Sequence, residues 1–438
     1  MSLSPFLTEL DERAKVRGSR DPLGVQPVWD SFGRGLIGNL TTISSSVRDF
    51  KELLLGYWFV GRIVRDDDAK TSLAVFLRWE QLASYARALR GDEGFRGTER
   101  VRKTLAARPA TLRIAADAQS QILTDQQRYG LWGLFSVPAQ NSGLLTGTPR
   151  RLTPAALGLV ESQYKRVLDA NPRSHSDRIT KCLAGRSWVL DHQGVDRELL
   201  ATIGKLLVSP LEPAEQEFYR EHLLYGGPGN PVRREQQVFT DVLTEQLEVL
   251  EDDWTPAALE GLARGCERNG SVGATAAERL RDIVACESVL APSACLFDHL
   301  LAKHGQPLST VVSGVRLSWG AHMPSVRASE FSELRQRIRR GSPSDDTAER
   351  WLRLAPVLAK GDFQEAIRLL LEQNLEIASV RGGAPWVTVE AGKLRVMMRD
   401  GEEGALPKRS ELTQLWRHAY FLSSTRDIAR ALAPGAAR

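Results

Sequence analysis

Side chains able to do chemistry are spread thinly through this sequence, so the first test is whether any share a useful spacing. Gly33–Arg34–Gly35–Leu36–Ile37–Gly38 matches GxGxxG, the turn that brings a backbone close to a dinucleotide pyrophosphate. That chemistry needs a buried strand before the glycines, a helix after them and an acid about twenty residues on. Pro27 spoils the strand, and Asp49 and Glu52 fall inside a helical pattern, so the glycines are read as a close helix approach. No Walker A loop is present. The seven histidines never fall at HxH or HxxxH spacing, and nothing completes a metal site around Phe297–Asp298–His299. Glu390–Ala–Gly–Lys393 misses the Glu-x-Lys of a restriction-type nuclease by one residue and sits on a tight turn. No serine or cysteine has an elbow motif. The reading therefore expects no catalytic residue, cofactor or metal. A divergent nuclease, or another enzyme, with an unreadable site is the alternative, and a groove clustering Asp, Glu and Lys would support it.

Basic residues offer the other chemistry, contact with phosphate. Only 11 of the 58 basic residues are lysine; a GC-rich genome explains that bias as well as a need for guanidinium forks does. The stretch Gln121–Tyr164 reads in order as helix, turn, small hairpin and next helix. Thr124 and Gln127 could form a capping box, the helix runs through Leu131, Trp132, Leu134 and Phe135, and Pro138 and Gly143 stop it. Gly147–Thr148–Pro149 turns the hairpin, and Thr153–Pro154 starts a helix as cap and first position. That order is what a winged helix-turn-helix shows, with Arg150 and Arg151 on the wing and Arg128 on the helix before it. Gln126, Ser136 and Gln140 are the other side chains expected to reach bases. A short basic helix, Thr98–Ala107, carries Arg100, Arg102 and Lys103, and a shared basic surface with the hairpin is expected. The run Leu334–Arg–Gln–Arg–Ile–Arg–Arg340 spreads its charge around a helix and reads as a solvated face.

The elements that would position these groups are mostly helical. Apolar spacing predicts a buried helix over Ser45–Val60 and others over Thr71–Leu89, Arg197–Val208, Pro213–Leu224 and Pro231–Leu250. Thr255–Pro256 repeats the cap-then-proline start. Two helices broken at Pro292 are expected over Ala276–His304, and loops over Pro172–Asp177 and the Gly226–Pro231 run. Gly341–Asp346 reads as a linker. Beyond it come a helical hairpin turning at Gly361 with Asp362 as cap, a strand pair over Trp386–Met398 turning near Ala391–Gly392, and a closing helix over Leu412–Leu432. The expected fold is mainly α and multi-helical, with a winged-helix-like segment and a small C-terminal β-hairpin. Its segments are an arm at 1–24, an N-terminal helical domain at 25–170, a central one at 171–340, and a C-terminal one at 346–438.

The 438-residue chain, 42% hydrophobic and with a net charge of +4, has ample core and too little charge to imply nucleic-acid binding by itself. Four scattered cysteines suit buried thiols in a reducing compartment. No signal peptide is read, and the longest apolar stretch, Leu53–Gly61, is about half the ~20 residues of a span, so a cytoplasmic protein without a membrane is expected. Trp351, Trp386, Trp416, Tyr420 and Phe421 concentrate aromatic area in the C-terminal segment and are the candidate partner interface. A self-contained core is the competing reading.

Several phrases taken together carry a resemblance: Asp21–Pro–Leu–Gly–Val with Trp29, Gly38–Asn–Leu–Thr–Thr running into Tyr57–Trp58–Phe59, Gln121–Ile–Leu to Pro138, Leu152–Thr–Pro, and Trp416 to Phe421. They resemble poorly characterised proteins of bacterial anti-phage defence islands, encoded near helicases, methylases or ATPases. The resemblance spans about residues 20–165 and the C-terminal hundred, and its motifs are structural, so it transfers no catalytic residue. It implies a non-enzymatic subunit or adaptor of a defence or DNA-processing complex. The expected partners are other subunits, such as a helicase, methylase or ATPase, with double-stranded DNA as a further ligand.

Overall fold

The computed structural model of the chain describes residues 21–65, 68–107, 111–170, 174–250, 252–398 and 404–433. The fold is mainly α. Among the described residues, strands occur only as short antiparallel pairs: Leu112–Ala115 with Ser187–Leu190, Leu145–Thr146 with Arg151–Leu152, and Val387–Glu390 with Lys393–Val396. The chain forms two compact units, each discontinuous in sequence. One comprises Ile37–Glu248 and the C-terminal residues from Tyr420; the other comprises the residues up to Leu36 and Val249–Ala419. These divisions differ from the sequence segments 25–170, 171–340 and 346–438. Residues 1–20 of the expected arm lie outside the described residues. Asp21 accepts from the backbone N–H groups of Val25 and Gln26, at 2.8 and 3.0 Å, and so opens the first helix.

The first unit is built on the helix Val47–Ile63. Ser46 caps it by accepting from Asp49 N, and every residue from Val47 to Val60 except Arg48 is buried. A helix that is apolar nearly all round must be covered on every side. The helices Ala69–Ala88, His175–Ala184 and Arg197–Val208 and the hairpin Leu145–Leu152 cover it here. Phe59 and Trp79 pack with ring centroids 4.8 Å apart. Gly56 lets the Phe76 and Trp79 rings close onto the backbone, since a Cβ there would lie 2.5 Å from Phe76.

Two buried polar devices join distant segments of this unit. The carboxamide of Asn39 donates to Ser142 Oγ and Leu223 O, and the carboxamide of Gln236 donates to Asn39 Oδ1 and Leu224 O. Gly38 N and Asn230 Nδ2 both donate to Gln236 Oε1, at 3.0 and 2.7 Å. The last glycine of the GxGxxG match is thus a close helix approach, and the segment before it is a helix, Val25–Gly33, not a strand. The Gly226–Pro231 run, expected as an exposed break, is partly packed: Gly226, Gly227 and Asn230 are buried, while Pro228, Gly229 and Pro231 are exposed.

The second unit is organised around a single helix, Gly270–Leu301, where sequence analysis expected two. Pro292 removes one backbone donor, but burial on most sides holds the axis together. It is the one helix among the described residues long and apolar enough to cross a membrane, and 83% of its apolar window is buried within the fold. The linker expected at Gly341–Asp346 is a sharp turn: one helix ends at Gly341, Ser344 caps the next, and Asp345 and Asp346 form its first turn. The helical hairpin follows the expectation, with Gly361 at φ +69° and Asp362 Oδ1 accepting from Glu365 N. So does the strand pair, since Ala391 and Gly392 have φ of 50° and 75°, the left-handed pair a two-residue turn requires.

Two further expectations are corrected. His175 opens a helix inside the supposed Pro172–Asp177 loop, of which residues 171–173 lie outside the described set. The closing helix spans Tyr420–Leu432 and not Leu412–Leu432, because 412–419 form turns and extended backbone.

Candidate functional site

The segment around the Leu145–Leu152 hairpin is where the structure gathers charge. In place of one long helix, residues 126–141 form three short ones: Gln126–Tyr129, Leu131–Leu134 and Ser136–Asn141. Asp125, not Thr124, caps the first by accepting from Arg128 N. Extended backbone at Gly130 breaks the run, and a Cβ there would meet Gln126 O and the Glu80 carboxylate. The hairpin forms as expected, pairing Leu145 with Leu152 and Thr146 with Arg151, and Thr153 caps the following helix through Ala156 N. Gly147 has φ +80° and the Thr148–Pro149 bond is cis.

An open cleft of about 470 Å³ lies between this hairpin and the C-terminal end of the Val47–Ile63 helix. Arg62 and Arg65 enter it from the helix end, Arg150 and Arg151 from the hairpin. Trp58, Val60, Val64, Pro149, Leu152 and Leu157 supply apolar wall. Trp58 and Arg62 are spaced i, i+4 on the helix and share one face, while Arg65 follows the helix end, past the extended Val64. The Arg62 guanidinium lies over the Trp58 ring, 4.7 Å from its centroid. Asp177 holds it at 2.7 Å and Ser176 at 3.3 Å, and that pairing lowers the pKa of the Asp177 carboxyl. Trp58 Nε1 donates to Glu161 Oε1 at 2.6 Å, which engages the one carboxylate that lines the cleft among the described residues. Arg150 Nε donates to Gln140 Oε1 at 3.2 Å. Among the described residues, neither Arg65 nor Arg150 is ion-paired to a carboxylate. Burial pushes the Tyr57 phenol up, against hydrogen bonding to Ser136 and the nearby Arg150 charge. The arrangement is a cationic rim around an apolar wall, suited to an anion with a flat apolar part.

The other expected site residues fall elsewhere. Arg128 is exposed, its guanidinium 5.4 Å from the Tyr129 ring centroid. Gln126 and Ser136 are fully buried, so neither can reach a base: Gln126 donates to Glu80 and Leu77 O, and Ser136 meets the Tyr57 hydroxyl. Arg100 donates to Gln121 O, Arg102 pairs with Glu93 at 3.0 Å, and Lys103 is exposed. Arg100 shares a second cleft with Tyr85, whereas the hairpin arginines share theirs with Ser72. Thirteen residues of one helix separate Tyr85 from Ser72, about 20 Å at about 1.5 Å per residue, so the expected shared basic surface is not formed. Three of the four 334–340 arginines form ion pairs, Arg335 and Arg339 with Glu349 and Arg337 with Asp282, while the exposed Arg340 donates to Gln336 O.

The aromatic interface is corrected in large part. Trp351, Trp386 and Phe421 are 1%, 7% and 2% exposed, so the chain itself covers them; Trp416 and Tyr420 are half-buried. Apolar content that looked excessive for one segment is absorbed by each unit drawing on distant segments.

Sequence reasoning missed Arg62 and Arg65: the i, i+4 spacing of Arg62 from Trp58 was visible, but a run of buried residues draws attention to the core, and Arg65 lies past the helix end. It also missed a buried cluster around Arg87, which bonds to Asp49, Glu52 and Asp92 at 2.7–2.9 Å. These acids face a guanidinium inside the core, and none of them lines the cleft of the hairpin arginines. Among the described residues no group of three His, Cys, Asp or Glu is placed to hold a metal ion. Compared with protein-family models, curated proteins and solved structures, the chain matches none.

Proposed function

We propose that the protein is a non-enzymatic, cytoplasmic subunit of a bacterial anti-phage defence or DNA-processing complex, contributing a nucleic-acid contact built on the Arg150–Arg151 hairpin. The supporting observation is the convergence of Arg62, Arg65, Arg150 and Arg151 on one cleft where, among the described residues, the single carboxylate is already engaged. Guanidinium groups arranged in this way neutralise phosphate without reading sequence. Its protein partners, a helicase, methylase or ATPase among them, follow from the resemblance of the N-terminal and C-terminal stretches to defence-island proteins.

The test is a titration of duplex DNA at several salt concentrations, wild type beside the Arg150→Ala/Arg151→Ala double variant. The variant should weaken binding to all sequences alike and lower the salt slope by roughly two units, about 0.9 for each lost phosphate contact. No binding by wild type at low salt, or equal slopes, would overturn the nucleic-acid reading. Co-purification with products of adjacent genes tests the partner reading.

A further inference from the structure

We propose that the arginine cleft is a subsite for one unstacked nucleoside phosphate, either the end of a single strand or a free nucleotide. The inference rests on the nucleic-acid reading above and narrows it.

Three features of the cleft carry the argument. Its volume of about 470 Å³ lies within the range of small-ligand sites, so it admits one nucleotide and not a stacked duplex. Its cations are divided by role. Arg62 is held by Asp177 and Ser176 with its guanidinium 4.7 Å from the Trp58 ring centroid, so an indole and a delocalised planar cation sit side by side in the cleft lining. Bases stack on arginine planes as they do on aromatic rings, but only when no neighbouring base covers them. Arg65 and Arg150 line the cleft with Arg62, and guanidinium groups are strong donors to phosphate. Lastly, Leu152 and Leu157 continue the wall beyond Trp58 with apolar surface, and Leu157 is 43% exposed. Such surface gains from covering by a base and gains nothing from a phosphate alone.

The full-length protein is titrated calorimetrically at low salt with AMP, GMP, CMP and UMP, with inorganic phosphate, and with a short oligothymidylate. Mononucleotides should saturate one site and bind more tightly than phosphate, with little preference among bases. An oligothymidylate that competes with them identifies the strand end as the source; one that does not identifies the free nucleotide. Arg65→Ala should weaken every phosphate-bearing probe about tenfold, as loss of one charge-assisted contact does. Arg62→Lys keeps the charge and removes the plane, so it should weaken nucleotides while leaving inorganic phosphate nearly unchanged. Far-ultraviolet circular dichroism checks that both variants fold. Nucleotides binding no better than phosphate, or both variants binding like wild type, would overturn the subsite. Duplex binding that keeps its salt slope while no mononucleotide binds would overturn the subsite and leave the wider reading standing; loss of both would remove both.

Discussion

Gln236 Nε2 donates to Asn39 Oδ1 at 2.8 Å, joining two fully buried carboxamides 197 residues apart in the chain. Around them, Gly38 N, Asn230, Ser142 and the carbonyls of Leu223 and Leu224 complete a network that satisfies both amides. A buried amide left without partners costs about 1–3 kcal/mol, so removing either side strands the other. Asn39→Ala and Gln236→Ala should each destabilise the protein by roughly 2–4 kcal/mol. The double variant should lose less than the sum, because the shared bond is lost only once. Urea unfolding of the four proteins measures this; strict additivity would mean the two amides act independently.

Gly38 answers the GxGxxG question in the same place. A Cβ on Gly38 would fall on the Asn230 carboxamide and press on Val232. Gly38→Ala should therefore cost about 1–3 kcal/mol through overpacking, with no change in cofactor binding to explain it. A Gly38→Ala protein as stable as wild type would contradict the close approach.

The core around Arg87 sets a pH dependence. One guanidinium faces Asp49, Glu52 and Asp92, and burial pushes the Glu52 carboxyl from its ordinary 4.5 up to about 8, against the pull of Arg87. With the folded value above the unfolded one, the folded state holds the extra proton between pH 4.5 and 8. Stability from this group is complete below pH 4.5 and is lost as pH rises toward 8, at up to about 1.4 kcal/mol per pH unit. Glu52→Gln should flatten that decline. Thermal unfolding at pH 5.5 and 8.5 compares the two proteins; parallel losses would show that Glu52 stays ionised throughout.

Arginine content alone should not decide nucleic-acid affinity. Arg335 and Arg339 share Glu349 at 2.7–2.8 Å on an exposed surface. Exposed pairs contribute little, so Arg335→Ala/Arg339→Ala should change stability by under about 1 kcal/mol. It should also leave the DNA salt slope as in wild type. A slope reduced as far as by the hairpin variant would move the contact surface to this helix.

How much of this was legible beforehand follows from how local each signal is. Thr153, Thr255 and Asp362 cap helices where the sequence placed them, because a cap is a bond between neighbours. The Ala391–Gly392 turn was readable for the same reason. The long helix through Pro292 was not: proline weakens a helix locally, and only burial along Gly270–Leu301 shows that the cost is outweighed. Gln126 and Ser136 look like base readers in sequence, and only the neighbours Glu80 and Tyr57 reveal them as core polar groups.

For the candidate site, the sequence alone determined the hairpin with Arg150 and Arg151 on it, since glycine, proline and the Thr153 cap act over a few residues. Tertiary structure decided what those arginines face. Arg62 and Arg65 reach the same cleft from a helix that ends about eighty residues earlier, and the basic helix at 98–106 is carried away by the length of Ala69–Ala88. The physical reason is that like charges have no attraction to signal their convergence; the apolar packing of the helices beneath them brings them together.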